Sequence, residues 1–374
     1  MLRFLTAGES HGPCLTAIIE GLPTGLKVDI DAIDHELRRR QAGYGRGERM
    51  AIERDRVEIL GGLLSGVTNG APVSLRIENR DWANWRERWA AGDLPRITVP
   101  RPGHADYAGM VKYGLDDARP VLERASARET AARVAVGALT RQLLAAFDIH
   151  VGSYVVEIGG VVATVPDLEE AGLWALAESS DVHCPDEAAS TAMRDRIDEA
   201  RQAGDSLGGV FVVTATGLPV GLGTHVHWDR RLDARLAWAV MSIPAIKGVE
   251  IGPAFENARR LGSRIHDQIY PAGDGSIERC TNRAGGFEGG ITNGMPVVLR
   301  AAMKPIPTTV APLHSVDLAT AEPAETTYQR SDVCAVPAAS VVGEAMVAWV
   351  LADALLEKLG GDSLEEMKKH AARA

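Results

Sequence analysis

Apolar residues fall into two kinds of run along this chain. Leu15–Ile19 and Val210–Val213 are short and continuous, as buried strands are. Other apolar residues recur at helical spacing. Ile30, Ile33 and Leu37 follow a candidate N-cap at Asp29 or Asp31, and Val134, Leu139 and Leu143 lie within Arg124–Phe147. Alanine is dense in two predicted long helices, Ser126–Phe147 and Ala338–Leu359. Thr-Asn-Gly turns flanked by alternating apolar residues signal tight hairpins, and therefore antiparallel sheet. Near the end, Ser363-x-x-Glu366 is a capping box and predicts a short surface helix.

The pattern occurs twice. GGLLSGVTNGAPVSLR (61–76) and GGFEGGITNGMPVVLR (285–300) share ten of sixteen positions at an offset of 224 residues. Upstream, Gly21-Leu-Pro-Thr-Gly-Leu26 is echoed by Gly217-Leu-Pro-Val-Gly-Leu222, each after an apolar run and before a helical pattern. Strand, GLPxGL turn, helix, hairpin and long helix thus follow one another in both halves, about 1–150 and 205–360, with 151–204 as a connector in one single domain, 1–374. The expected fold class is α+β: a layered sandwich of antiparallel sheets around long helices, internally duplicated.

Composition narrows the class of protein. The chain has 374 residues, 45% hydrophobic and 24% charged, with aromatics at 5%, so Ala, Val, Leu and Ile must build the core. A net charge of −10 repels polyanions, which argues against bulk nucleic-acid or anionic-membrane binding. The four cysteines, Cys14, Cys184, Cys280 and Cys334, are far apart and form no CxxC pair, which fits a reducing compartment. Polar residues come too early at the start for a signal peptide, and no apolar run is expected to span a bilayer. A cytoplasmic protein without a membrane segment is the expectation.

Against that acidic background, positive charge collects in two places. Arg38 to Arg49 holds five arginines and one glutamate, starting at a helix end where cations are favoured and running into a loop with Gly43, Gly45 and Gly47. It is either a solvated basic loop or a site for a small polyanion, which guanidinium forks bind bidentately. The second set is Arg96, Arg101, His104, Arg119, Arg124 and Arg128. His11, between glycines, and His104, in a turn-rich stretch, suit proton transfer near neutral pH. His225 and His227 would share one strand face, but no third ligand is evident and no metal is expected. Trp82, Trp85 and Trp89 read as a packing or subunit-contact stripe.

GESHG (8–12), RRRQAGYGRGERM (38–50), RPGHADY (101–107), RASARETAARVA (124–135), KGVEIG (247–252), NRAGGFEGGITNG (282–294), MKPIPT (303–308) and QRSDVCAVPA (329–338) resemble, in order, the chorismate synthase family. The resemblance implies a carbon–oxygen lyase. It would eliminate phosphate 1,4-anti from 5-enolpyruvylshikimate 3-phosphate to give chorismate, in aromatic amino acid biosynthesis. It also implies reduced FMN as cofactor, NADPH as a possible reductant, and a cytoplasmic homotetramer.

Carried over by motif, His11 would protonate the departing phosphate and His104 the reduced flavin near N1. Asp332 would help remove the C6 proton, and Ser10 and Ser126 would support these groups by hydrogen bonds. Flavin contacts would be Arg124, Ala125, Ser126, Pro244, Ala245, Gly289, Lys304, Pro305, Ile306, Pro307, Thr308 and Arg330. Arg40 and Arg46 match positions for phosphate-bearing ligands, cofactor or substrate, and Arg49 stands beside them for substrate. The chain departs from the family pattern at Ala125, Pro244 and Ser331, which bears on flavin affinity and removes no proton-transfer group. A flavin reductase using the same cleft, or a silent anion-binding protein on the scaffold, is the rival reading.

Overall fold

The computed structural model describes residues 1–47, 53–273, 275–327 and 331–373. The first half supplies strands β1 (Arg3–Ala7) and β2 (Cys14–Glu20), helix α1 (Ile30–Gln41), strands β3 (Val57–Gly61) and β4 (Val73–Glu78), and helix α2 (Thr130–Ala145). The second supplies β5 (His150–Ile158), β6 (Gly209–Thr216), α3 (Leu232–Met241), β7 (Ile246–Ile251), β8 (Val297–Met303) and α4 (Val336–Leu359). One sheet has the order β1-β2-β4-β3, the other β7-β8-β6-β5 extended by Val161–Val162, and every ladder is antiparallel. Counted from its first strand, each half is wired identically. The four helices lie between the sheets: α2 packs on β1, β2 and β4, α4 packs on β5 and β6, and α2 and α4 pack on each other.

The echoed motifs are two halves of one junction. Thr68 Oγ1 donates to the Pro23 carbonyl (2.6 Å) and accepts from the Leu26 N–H (2.9 Å). Thr292 does the same with Pro219 (2.7 Å) and Leu222 (2.8 Å). Each TNG threonine therefore ties its hairpin to its GLPxGL turn. The next residue, Asn69 or Asn293, closes the turn by accepting from the N–H two residues on.

The alanine-rich helices meet backbone to backbone. A Cβ on Gly137 of α2 would lie 2.3 Å from the Ala345 Cα of α4. Helix propensity alone favours Gly137→Ala by about 1 kcal/mol, whereas forcing the helices apart costs about 1–3 kcal/mol. The expected result is net destabilisation, read as a lower urea midpoint at unchanged slope; a raised midpoint would show that the contact yields freely.

Three sequence expectations change. The connector 151–204 begins with β5, a strand in the second sheet, because that sheet is covered on both faces. Helix Glu170–Glu178 lays Leu173 and Ala177 over Tyr154, Val156 and Val212, and the Trp174 ring occupies the space a side chain at Gly152 would fill. The helix expected from Ser126 begins at Thr130, after a separate helix, Arg119–Ala125, and a 3₁₀ turn, Ala127–Glu129. Ser126 is extended there and its Oγ accepts from the Arg128 N–H (3.3 Å), so it caps the turn. Finally, α4 is long and apolar enough to cross a membrane by length and composition, yet it is mostly buried between the sheets. The N-cap at Asp29 and the terminal helix, Leu364–Ala371 capped by Ser363, stand as expected.

Candidate active site

A cavity of about 840 Å³ opens where several loops converge. These are the β1–β2 turn, the loop after α1, residues 97–130, the turn after α3, the segment after β8 and the N-terminus of α4. Its described walls carry seven arginines and Lys304 against two carboxylates, Glu129 and Asp332. On an acidic chain this is a concentrated positive field, fitted to a small ligand bearing several anionic groups.

His11 sits in the β1–β2 turn. Gly8 starts that turn at φ +111°, with the Cys14 carbonyl 2.4 Å from where a Cβ would be, so only glycine fits. His11 Nδ1 lies 2.9 Å from Glu123 Oε1, and the His11 backbone N–H donates to Glu123 Oε2 (2.8 Å). The imidazole packs on the Trp85 indole, ring centroids 4.3 Å apart, and the Arg119 guanidinium lies near an indole ring at 6.0 Å. Ser126 Oγ donates to Ser10 Oγ (3.0 Å), joining the two serines beneath.

His104 has a matching anchor. Its Nδ1 is hydrogen-bonded to Asp106 Oδ1, and Arg101 Nε donates to Asp106 Oδ2 (2.8 Å). Asp106 is 0% exposed. Burial opposes its charge, but hydrogen bonds from His104 and Arg101 outweigh that and hold the carboxyl well below the usual range. Both histidines thus spend Nδ1 on a buried carboxylate, and neither Nε2 has a hydrogen-bond partner among the described residues.

The arginine run divides. Arg39 turns away from the cavity to Glu344, while Arg40 and Arg46 line it. Arg40 is buried; its Nε donates to Thr130 Oγ1 (2.9 Å) and its Nη2 to the Ala127 carbonyl (2.8 Å). Nη1 is buried with no hydrogen-bond partner among the described residues, the Asp55 carboxylate standing off at 3.6 Å. Burial, with repulsion from Arg128 and Arg46, pulls this guanidinium down to about 9 despite Asp55; it stays protonated at neutral pH. A buried cation with one donor left over is suited to accepting an anion. Arg46 Nη1 donates to Asp332 Oδ2 (2.6 Å) and the Gly47 N–H to Asp332 Oδ1 (2.7 Å). Of the loop glycines, Gly45 serves the chain's own packing, its carbonyl accepting from the Val333 N–H (2.8 Å).

Most residues carried over from the family motifs meet here. Ser10, His11, Arg40, Arg46, His104, Arg124, Ala125, Ser126, Pro244, Ala245, Lys304, Ile306, Pro307, Thr308 and Asp332 all line the cavity. Ala245 holds φ +67°, uncommon for alanine, and its carbonyl accepts from the Lys304 N–H (2.9 Å), which joins the turn after α3 to the segment after β8. Burial and Lys247 lower the Lys304 ammonium, whose Nζ donates to the Gly103 carbonyl (3.0 Å). Gly289, in the Phe287–Thr292 hairpin, and Pro305 are not in the walls. Arg49 and Arg330 lie outside the described residues.

Of the second basic set, Arg101, Arg119, Arg124 and Arg128 also line the cavity, while Arg96 pairs with Asp116 on the surface. Trp85 lines the cavity, while Trp82 and Trp89 pack edge to face with ring centroids 5.8 Å apart. Glu123, Asp106, Glu129 and Arg133 were not foreseen. Only Asp106, two residues after His104, had a local signal; Glu123 is 112 residues from His11. His225 and His227 lie in a bend instead of a strand, with His227 Nδ1 2.7 Å from Asp229 Oδ1. Among the described residues, no three His, Cys, Asp or Glu side chains converge as a metal site.

Residues 2–356 match the family model described as chorismate synthase. The chain is 57% identical over 372 residues to the chorismate synthase of Desulforudis audaxviator, spanning 98% of this chain and 95% of that one. It is 56% identical over 382 residues to that of Geobacter sulfurreducens, spanning 99% and 97%. A crystal structure of chorismate synthase superposes with a TM-score of 0.81 at 46% identity, over 100% of this chain and 96% of that one. With matches of this depth across nearly its whole length, the chain belongs to the chorismate synthase family.

Proposed function

We propose that the cavity binds 5-enolpyruvylshikimate 3-phosphate beside reduced FMN and eliminates phosphate to form chorismate, as befits a carbon–oxygen lyase of the shikimate pathway. The observation that carries this reading is the pairing of two carboxylate-anchored histidines with the open Nη1 of buried Arg40 in one cationic cavity. The substrate bears two carboxylates and a phosphate, and FMN adds another phosphate. A volume of about 840 Å³ is near the upper end of small-molecule cavities, as two adjoining ligands require.

In the reaction the allylic C–O bond breaks with its electron pair leaving on phosphate, a proton leaves C6, and a new C=C bond forms. There is no net redox change. Reduced flavin, when bound, lends electron density to the allylic system and takes it back. Arg40 and Arg46, with Arg49, hold the anionic groups. His11 gives a proton from Nε2 to the departing phosphate, and Ser10 and Ser126 steady its turn. His104 would hold a proton for the N1 edge of a bound flavin, and Asp332, held in place by Arg46 and the Gly47 amide, assists removal of the C6 proton. Arg124, Ser126, Ala245, Lys304 and Ile306 to Thr308 would form the flavin side. A cytoplasmic homotetramer, with NADPH as reductant, belongs to the same reading and is supported by family membership.

Anaerobic mixing with the substrate and dithionite-reduced FMN tests this. Chorismate absorbance and phosphate should appear in equal amounts, and neither while the flavin stays oxidised. Binding without turnover would overturn the reading. NADPH in place of dithionite then shows whether the protein reduces its own flavin. Arg40→Met should raise the substrate dissociation constant by about 10- to 100-fold, the worth of one charge-assisted bond. The fold should survive, because Asp55 keeps both bonds from Arg128 Nη1 (2.7 and 2.6 Å). Unchanged affinity by calorimetry would remove Arg40 from the binding role.

A further inference from the structure

Glu123 does more than neutralise charge behind His11. It is 3% exposed, on helix Arg119–Ala125, and both its oxygens are committed to one residue. Oε2 accepts from the His11 backbone N–H (2.8 Å) and Oε1 faces Nδ1 (2.9 Å). The Glu123 carbonyl accepts from the Ser10 N–H (3.1 Å), and Trp85 covers one ring face at 4.3 Å. The turn is therefore locked to this helix at three points, and the ring cannot swing without breaking its Nδ1 bond and leaving Trp85.

We propose that Glu123 is the positioning residue that sets the tautomer of His11, placing the proton of the neutral ring on Nδ1 and presenting Nε2 to the cavity. This rests on the reading of His11 as the proton donor to the departing phosphate. The backbone N–H of His11 can only donate, so it always takes one acceptor from residue 123. A carboxylate has a second acceptor for Nδ1–H; an amide does not. In Glu123→Gln the amide oxygen stays on the backbone N–H, and the amide nitrogen faces Nδ1. The amide nitrogen donates, so Nδ1 must accept, which moves the neutral ring's proton to Nε2. The protonated ring, with N–H on both nitrogens, faces a donor. The variant thus disfavours both the tautomer and the acid form that the reaction needs, with almost no change in shape.

The test compares wild type, Glu123→Gln and Glu123→Asp as FMN-loaded enzymes. Two readouts are taken: steady-state kinetics, and the ¹⁵N spectrum of histidine-labelled protein at pH 8, with His11 assigned by its loss in His11→Asn. Wild type should show the Nδ1-protonated pattern and Glu123→Gln the Nε2-protonated one. kcat should fall about 10²-fold in Glu123→Gln with KM within about 3-fold, the signature of a mispositioned acid–base group. Glu123→Asp, which keeps two acceptors, should retain the wild-type ¹⁵N pattern and recover part of kcat. An unchanged pattern in Glu123→Gln, or an unchanged kcat, overturns the proposal. Should Glu123→Gln fail to fold, an Nε2-protonated His11 in wild type overturns it and an Nδ1-protonated one sustains it. If wild type makes no chorismate, the functional reading fails, while the spectrum still decides the tautomer.

Discussion

Replacing His11 by alanine is expected to lower kcat between about 10²- and 10⁴-fold, the usual worth of a positioned acid–base group. On the proposed function, substrate binding should change less than kcat, because the seven arginines lining the cavity remain. The loss is bounded, since the guanidiniums lining the cavity still stabilise phosphate departing with more negative charge. His104→Ala should show a comparable loss. There Asp106 keeps its bonds from Arg101 Nε (2.8 Å) and the Arg101 backbone N–H (3.1 Å), so its buried charge is not abandoned and the turn survives. Steady-state kinetics with free imidazole added back separates lost proton transfer from lost shape, since only the former is rescued. Wild-type turnover in either variant would remove that histidine from the mechanism.

The second large effect concerns stability, away from the cavity. Glu344, in the middle of α4, is 0% exposed. It takes Arg39 Nη1 (2.7 Å) and Nη2 (2.9 Å), Arg141 Nη1 (2.6 Å) and Ser153 Oγ (2.6 Å), so one carboxylate joins α1, α2, α4 and β5. Burial opposes its charge, but Arg39 and Arg141 outweigh it and hold the carboxyl well below the usual range. Glu344→Gln removes the buried charge that both guanidiniums share, although Arg39 keeps Glu36 (2.6 Å) and Glu178 (2.7 Å) and Arg141 keeps Glu36 (3.0 Å) and the Val151 carbonyl (2.8 Å). It should cost about 1–3 kcal/mol, the worth of lost hydrogen bonds to charged groups.

The same group dictates a pH response. A carboxyl whose folded pKa is depressed contributes stability above its ordinary value, about 4.3, and loses it as pH falls towards the folded value. His183, with Nε2 4.0 Å from Glu344 Oε1, is lowered by burial and by Arg39 against the pull of Glu344. It is kept neutral, so its contribution is lost earlier, as pH falls below about 6.5. Urea midpoints of wild type should therefore decline in two stages on acidification. Glu344→Gln should lower the neutral plateau and flatten the lower stage. A variant with an unchanged plateau would mean that Glu36, Glu178 and the Val151 carbonyl suffice for Arg39 and Arg141.

What the amino-acid order determines by itself is local chemistry and whatever repeats. Turn signals such as GLPxGL and TNG act over a few residues, and their second appearance exposed the duplicated α+β plan before any distance was known. Helical spacing marked α1 and α2 because their apolar residues recur within one segment, and alanine density marked α4. The cavity's histidines and arginines were legible because residue type already carries their chemistry, and family motifs placed most of the rest. Periodicity failed at β5, where cover on both faces replaces alternation with a continuous run containing Gly152 and Ser153. It failed at Ser126 too, where a break in the helix is set by capping geometry. The tertiary structure alone decided which of three consecutive arginines serves the cavity: one turn of helix points Arg40 into it and Arg39 at Glu344. It also decided that Trp85 stacks on His11 and that Glu123 and Asp106 stand behind the histidines. A buried charge finds its partner through the packing of elements far apart in the chain, and no local pattern records that distance.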